Sequence, residues 1–145
     1  GNKATQKLMP VLAVDFKLQS GNTTSDLNGI PVTLQSAPYI NQGRTMIPFR
    51  IMAESMGAKV GYETNPTTKA VTLVTFELGS TKIVLYIGKN TATVTVAGQS
   101  RTVKLDAPPV IKNGVTMVPF RFVAENFGAK VSWDGATKTA RMVYP

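Results

Sequence analysis

The chain has 145 residues, of which 43% are hydrophobic and 17% charged, the balance of a globular protein and not of a disordered one. It contains neither Cys nor His, which excludes thiol nucleophiles, disulfides, imidazole bases and most transition-metal sites. Lys and Arg number 16 against 8 for Asp and Glu, a net charge of +8; the surplus is dispersed, favours polyanions through salt-sensitive attraction, and is equally what solubility alone requires.

The opening GNKATQK is polar, and Gly1–Lys7 is expected to fray. It does not read as a signal peptide, and no apolar run approaches the roughly 20 residues that cross a bilayer, as in a mature or excised fragment of a longer protein. Early strands are predicted over Val11–Leu18 and Ile30–Leu34, with Ser20–Asn28 between them as an exposed loop. Ala37-Pro38 stops the second of these, and Asn41-Gln42-Gly43 reads as a turn. Thr45–Ile47 is then a brief extended segment. Pro48, whose ring fixes φ and needs no amide partner, suits the first position of a helix over Pro48–Met56. Phe49, Met52, Ala53 and Met56 give that helix one apolar stripe, and Gly57 offers its left-handed end. Lys59–Tyr62 alternates polar and apolar, ETNPTTK turns, and Ala70–Thr75 closes the unit as a strand. Thr81–Leu105 is β-rich, with Gly98 marking a hairpin.

The second half repeats this grammar. PYINQGRTMIPFRIMAESMGAKVGYE (Pro38 to Glu63) matches PVIKNGVTMVPFRFVAENFGAKVSWD (Pro109 to Asp134) without a gap, at an offset of 71. Thr67–Val74 then matches Ala136–Val143 at an offset of 69, which assigns two extra turn residues to the first copy. A second helix is predicted over Pro119–Phe127, with Phe120, Val123, Ala124 and Phe127 as its stripe and Gly128 as its end. Self-similarity of this length indicates a duplicated structural unit. The expected fold is α+β: short antiparallel strands packed on one short helix per repeat, in a pseudo-two-fold domain spanning 1–145, with repeat one at about 11–75 and repeat two at about 81–145.

Four residues stand out as candidate contacts. Arg50 and Arg121 lie in the first turns of their helices, where the dipole disfavours a cation by up to about 1 kcal/mol. Glu54 and Glu125 follow at i+4, so a structural ion pair is favoured over a duplicated anion site in which guanidinium and helix amides face a phosphate or carboxylate. Trp133 and its counterpart Tyr62 invite a glycan reading, because flat aromatic faces stack on sugars. Yet each shares a strand face with a valine, Val131 or Val60, and core packing is the favoured assignment. The eight carboxylates are scattered, with no Asp-x-Asp pattern for calcium and no pair poised for acid–base work. No Ser-x-x-Lys and no phosphate-cradling glycine loop occurs. Catalytic residues, metal ligands and cofactor sites are therefore all expected to be absent.

The motifs Gly-x-Thr-Met-Val-Pro-Phe-Arg (Gly114–Arg121), Ala-Glu-x-x-Gly-Ala-x-Val (Ala124–Val131) and Trp-Asp…Thr-Lys (Trp133–Lys138) resemble the copper amine oxidase N-terminal-like, or stalk, domain of bacterial cell-surface proteins. The first half departs at Tyr62-Glu63. The resemblance covers about Val32–Val143. It implies a non-catalytic, secreted or wall-attached module of Gram-positive bacteria that spaces or docks neighbouring domains or surface proteins, with the oxidase's copper and quinone in another domain. The alternative is binding of cell-wall polyanions or polysaccharide through the basic surface. Nucleic acid has charge in its favour but no recognised motif.

Overall fold

The computed structural model describes residues 13–144. Three antiparallel strands open it: β1 (Val14–Gln19), β2 (Thr24–Leu27) and β3 (Ile30–Thr33). The hairpin β4 (Tyr39–Asn41) and β5 (Arg44–Pro48) leads into helix α1 (Phe49–Met56), and β6 (Lys59–Thr64) and β7 (Val71–Leu78) follow. The order then recurs as β8 (Thr81–Tyr86), β9 (Thr91–Val96), β10 (Gln99–Lys104), β11 (Val110–Lys112), β12 (Val115–Pro119), α2 (Phe120–Asn126), β13 (Lys130–Asp134) and β14 (Thr139–Tyr144). The fold is α+β, as expected.

Each five-stranded sheet combines strands from both halves of this order. One runs β13-β14-β1-β2-β3, the other β10-β9-β8-β7-β6, and a four-stranded sheet runs β11-β12-β5-β4. The final hairpin thus closes on the first strand, with Val14 opposite Tyr144 and Gln19 opposite Thr139. In the four-stranded sheet Ile47 faces Val118, while Met46 faces Pro119 and Pro48 faces Met117. The two TM(I/V)PFR phrases therefore pair antiparallel across one seam, centred on the matching residues Ile47 and Val118.

Alternation in β5 and β12 sends Ile47 and Val118 into a main core, and Met46 and Met117 to the opposite face. The main core joins both five-stranded sheets to the helices. Phe16 and Met142 come from one sheet, Phe76 and Ile83 from the other, and Met52, Val123 and Ala124 from the helices. A smaller cluster of Met46, Ala107 and Met117 is covered by Tyr39, over whose ring the Lys112 ammonium lies at 3.7 Å. Partial burial raises the Tyr39 phenol above its usual pKa.

Three details differ from the sequence expectations. Pro48 and Pro119 are not the first helical residues. They end their strands in extended geometry (φ −57°, ψ 135° and φ −70°, ψ 112°), because both still occupy the β5–β12 ladder. Ser20–Asn28 is not a loop throughout. Thr24–Leu27 forms β2, locked between β1 and β3, and the buried Ser25 hydroxyl donates to the Val32 carbonyl at 2.9 Å. Of the strand predicted from residue 11, residues 11 and 12 lie outside the described residues, as does the segment expected to fray.

The last difference concerns the closing hairpins. Tyr62 faces Val74 on β7, whereas Trp133 faces Ala140 on β14. Val74 therefore stands where Ala140 does, and not where the sequence match at offset 69 placed it. The first half takes up its additional residues in a register shift at Glu63/Thr64 and in a longer turn, where the Asn65 carboxamide oxygen accepts from the Thr67 and Thr68 amides.

Candidate functional site

The helix-entry corners place Arg50 and Arg121 on the surface in the first turns of α1 and α2. Their surroundings differ. Arg121 makes the expected i+4 ion pair, with Nε 3.6 Å from Glu125 Oε2, and also donates from Nη2 to the Val131 carbonyl at 3.2 Å. Because β13 is an edge strand, that second bond covers a carbonyl that would otherwise face solvent. Arg50 instead lies over the ring of Phe49, at 5.7 Å, and takes part in none of the ion pairs found among the described residues. The structural tie holds for one arginine of the two.

Trp133 and Tyr62 are not core residues. Trp133 is 44% exposed and Tyr62 56%. They do share a face with Val131 and Val60, which pack against the core, but α1 and α2 are short, and the strand ends run past the apolar cover. On β13 the indole leans over the following turn, so that a Cβ on Gly135 would lie 3.7 Å from its Nε1. Across the ladder its partner Ala140 is small and buried.

Clefts adjoin Trp133 on two sides. One, of about 290 Å³, lies among Trp133, Ser132, Thr45, Arg44, Arg121 and Ile40. The other, of about 330 Å³, is lined by Trp133, Ser132, Asp134, Thr137, Lys17 and Arg141. The arginines of these clefts are held by carboxylates. Arg44 is ion-paired with Asp106, its Nε donating at 3.0 Å. Arg141 grips Asp15 with two bonds, Nε to Oδ1 at 2.9 Å and Nη2 to Oδ2 at 2.8 Å. Those bonds hold the Asp15 carboxyl below the usual carboxylate range, against the opposing effect of its partial burial. Lys17 stands in the ladder between Asp26 on β2 and Arg141 on β14.

The family model for the copper amine oxidase N-terminal domain matches residues 26–142. The chain belongs to that family. No curated protein and no solved structure gave a match. In copper amine oxidases this domain is a non-catalytic, stalk-like module that packs with other domains. Copper itself does not fit the donors present: the chain has no His and no Cys, and among the described residues no three carboxylates converge. No helix among the described residues is long and apolar enough to cross a membrane.

Of the four candidate contacts, the structure brings Arg121 and Trp133 together in one cleft and leaves Arg50 and Tyr62 on another part of the family domain. Arg44, Ser132, Lys17 and Arg141 were not singled out from sequence. For the first two a signal existed: the matching positions carry Val115 and Gly61, departures inside an otherwise close match. Lys17 and Arg141 had none, because their neighbourhood depends on the pairing of the first strand with the last.

Proposed function

We propose that this chain is a non-catalytic extracellular module, a stalk or docking domain of a bacterial cell-surface or secreted protein. The observation that carries the reading is the match of residues 26–142 to the copper amine oxidase N-terminal domain family, in a chain whose sheets interlock, β14 with β1 and β7 with β8. Such closure ties the first and last described strands into one core, and supports reading residues 1–145 as one pseudo-two-fold domain that can space or dock its neighbours without bending. The absence of His and Cys from the sequence supports a role without catalysis. Fractionation of the producing bacterium, with protease treatment of intact cells, tests the placement. The protein is expected in the wall or medium fraction and to be cut by external protease; recovery in the cytoplasm overturns the reading.

A second reading, binding of cell-wall polyanion or polysaccharide, is supported by the exposure of Trp133 between two clefts and by the charge of +8. Its test is retention on purified cell walls, with and without teichoic acid, at low and at about 0.5 M salt, where surface charge is largely screened. Retention that depends on teichoic acid and vanishes in salt supports polyanion binding; no retention in any arm removes the second reading and leaves the first.

A further inference from the structure

We propose that the face around Trp133 binds a neutral oligosaccharide, with one sugar ring over the indole and its neighbours in the two flanking clefts. The inference refines the polysaccharide reading above and departs from its polyanion form.

The argument against a polyanion is local charge balance. Lys17, Arg44, Arg121 and Arg141 line the two clefts. Against them stand Asp134 in the lining and Asp15, Asp106 and Glu125 as ion-pair partners, four carboxylates for four cations. A phosphate or carboxylate arriving here would compete with a carboxylate already bound to each arginine. A sugar hydroxyl donates and accepts at once. It can therefore take an N–H from an arginine and give its own proton to the neighbouring carboxylate, without breaking the pair.

The apolar requirement is met by Trp133. An indole is a rigid apolar plate with an electron-rich face, to which the polarised C–H groups of a pyranose are attracted. Its Nε1 side is placed against the Gly135 turn, and the small Ala140 beneath leaves the cleft open. The clefts, of about 290 and 330 Å³, sit at the low end of small-molecule sites, enough for a ring each. Ser132, Thr45, Thr137 and Asp134 supply the few orienting polar groups such a site needs.

A comparison within the chain sharpens the assignment. At matching positions Val115, in the second half, stands for Arg44, while Gly61 and Tyr62, in the first half, stand for Ser132 and Trp133. The matching residues therefore lack the Arg44 guanidinium, the hydroxyl and the indole. The cleft beside Trp133 sets these three departures side by side, Arg44 from the first half and Ser132 and Trp133 from the second.

The test exploits Trp133 being the only tryptophan, so that intrinsic fluorescence reports the site alone. The whole chain is titrated with N-acetylglucosamine oligomers, cello-oligosaccharides and neutral mannan oligomers, and with polygalacturonate and heparin, at low and at about 0.5 M salt. A saturable change with at least one neutral oligosaccharide is expected, shifting less than about twofold in half-saturation between the two salts. Arg44→Ala is expected to weaken it about tenfold, a lost hydrogen bond to a charged group. Trp133→Ala, followed by affinity electrophoresis in the same oligosaccharide, should lose retention while Tyr62→Ala keeps it; thermal melting confirms that both variants fold. Silence with every neutral oligosaccharide overturns the proposal. A response confined to the two polyanions and abolished by salt overturns it too, and leaves the polyanion reading standing in its place.

Discussion

The corner at Arg50 and the corner at Arg121 share a sequence, a backbone and a place in the ladder, yet only the second carries two donor contacts from its arginine, and that arginine lines a cleft with Trp133. The difference lies in side chains a few residues away. At the second corner Phe120 is buried to 1% exposure while Phe49 at the first is only partly covered, and Ser132 stands where Gly61 must be glycine. The shared phrase specifies a strand-to-helix turn; the departures from it specify what that turn presents to solvent.

The largest test of this contrast is a matched pair of truncations. Phe120→Ala removes a fully buried ring and is expected to cost about 3–5 kcal/mol. Phe49→Ala, at the matching position, removes a partly exposed ring that packs edge-on against Phe76 at 6.3 Å, and is expected to cost about 1–3 kcal/mol. Urea unfolding of the two variants side by side measures both. Equal costs would mean that the corners are energetically interchangeable and that the burial difference carries no weight.

Making the first corner resemble the second should fail for a stated reason. A Cβ on Gly61 would stand 2.8 Å from Thr75 Oγ1, closer than side chains tolerate. Gly61→Ser therefore loses about 1–3 kcal/mol to overpacking and regains about 0.5–1 kcal/mol in backbone entropy, a net loss near 1 kcal/mol. Adding Thr75→Ala removes the obstructing hydroxyl and should recover most of that loss in the same assay. If the double variant is no more stable than Gly61→Ser alone, the glycine is there for some other reason than Thr75.

The arginines give a smaller contrast. Arg121→Ala removes an exposed ion pair and a bond to an edge carbonyl, with an expected loss of about 0.5–1 kcal/mol. Arg50→Ala should change stability by under about 0.5 kcal/mol, as surface substitutions away from ion pairs and buried contacts do. A larger loss at Arg50 than at Arg121 would reverse the assignment of which corner is tied.

The legibility of these features in the sequence follows their range along the chain. Helix extents, the apolar stripes and the turns at Asn41–Gly43 and Lys112–Gly114 depend on neighbours a few residues apart, and they could be read directly. In both turns two successive residues take positive φ, Gln42-Gly43 and Asn113-Gly114, a geometry glycine makes cheap in its second position. Strand β2 was hidden because TSDL has no long apolar run; it is held by pairing on both sides and by one buried hydroxyl. The exposure of Trp133 was misjudged because alternation reveals which face a residue takes, not how far along that face the cover extends. Arg44 beside Trp133 required the hairpin β4–β5 to be brought against β13 by α2, a relation between three elements that no local pattern encodes.

The two five-stranded sheets offer the finest contrast, and it is one of pH. In the sheet containing β1, Lys17 faces Arg141, which binds Asp15; in the other sheet Val84 facing Thr75 replaces the Lys17–Arg141 pair, and Lys82, facing Glu77, stands in the place of Asp15. Asp15 has its carboxyl held below the ordinary value near 3.9, mainly by the Arg141 hydrogen bonds. A carboxyl with a depressed folded-state pKa contributes stability that is complete above the unfolded value and is lost as pH falls through the folded one. The contribution is screened, because both side chains are more than one-third exposed. Asp15→Asn should therefore lower the melting temperature slightly at pH 7, and the gap to the parent should close as pH drops below about 4. Thr75→Val, at the place of Arg141 in the other sheet, should show a gap that does not vary with pH. A gap for Asp15→Asn that persisted unchanged into strong acid would mean that the bond is worth nothing as an ion pair, and that its strand position alone matters.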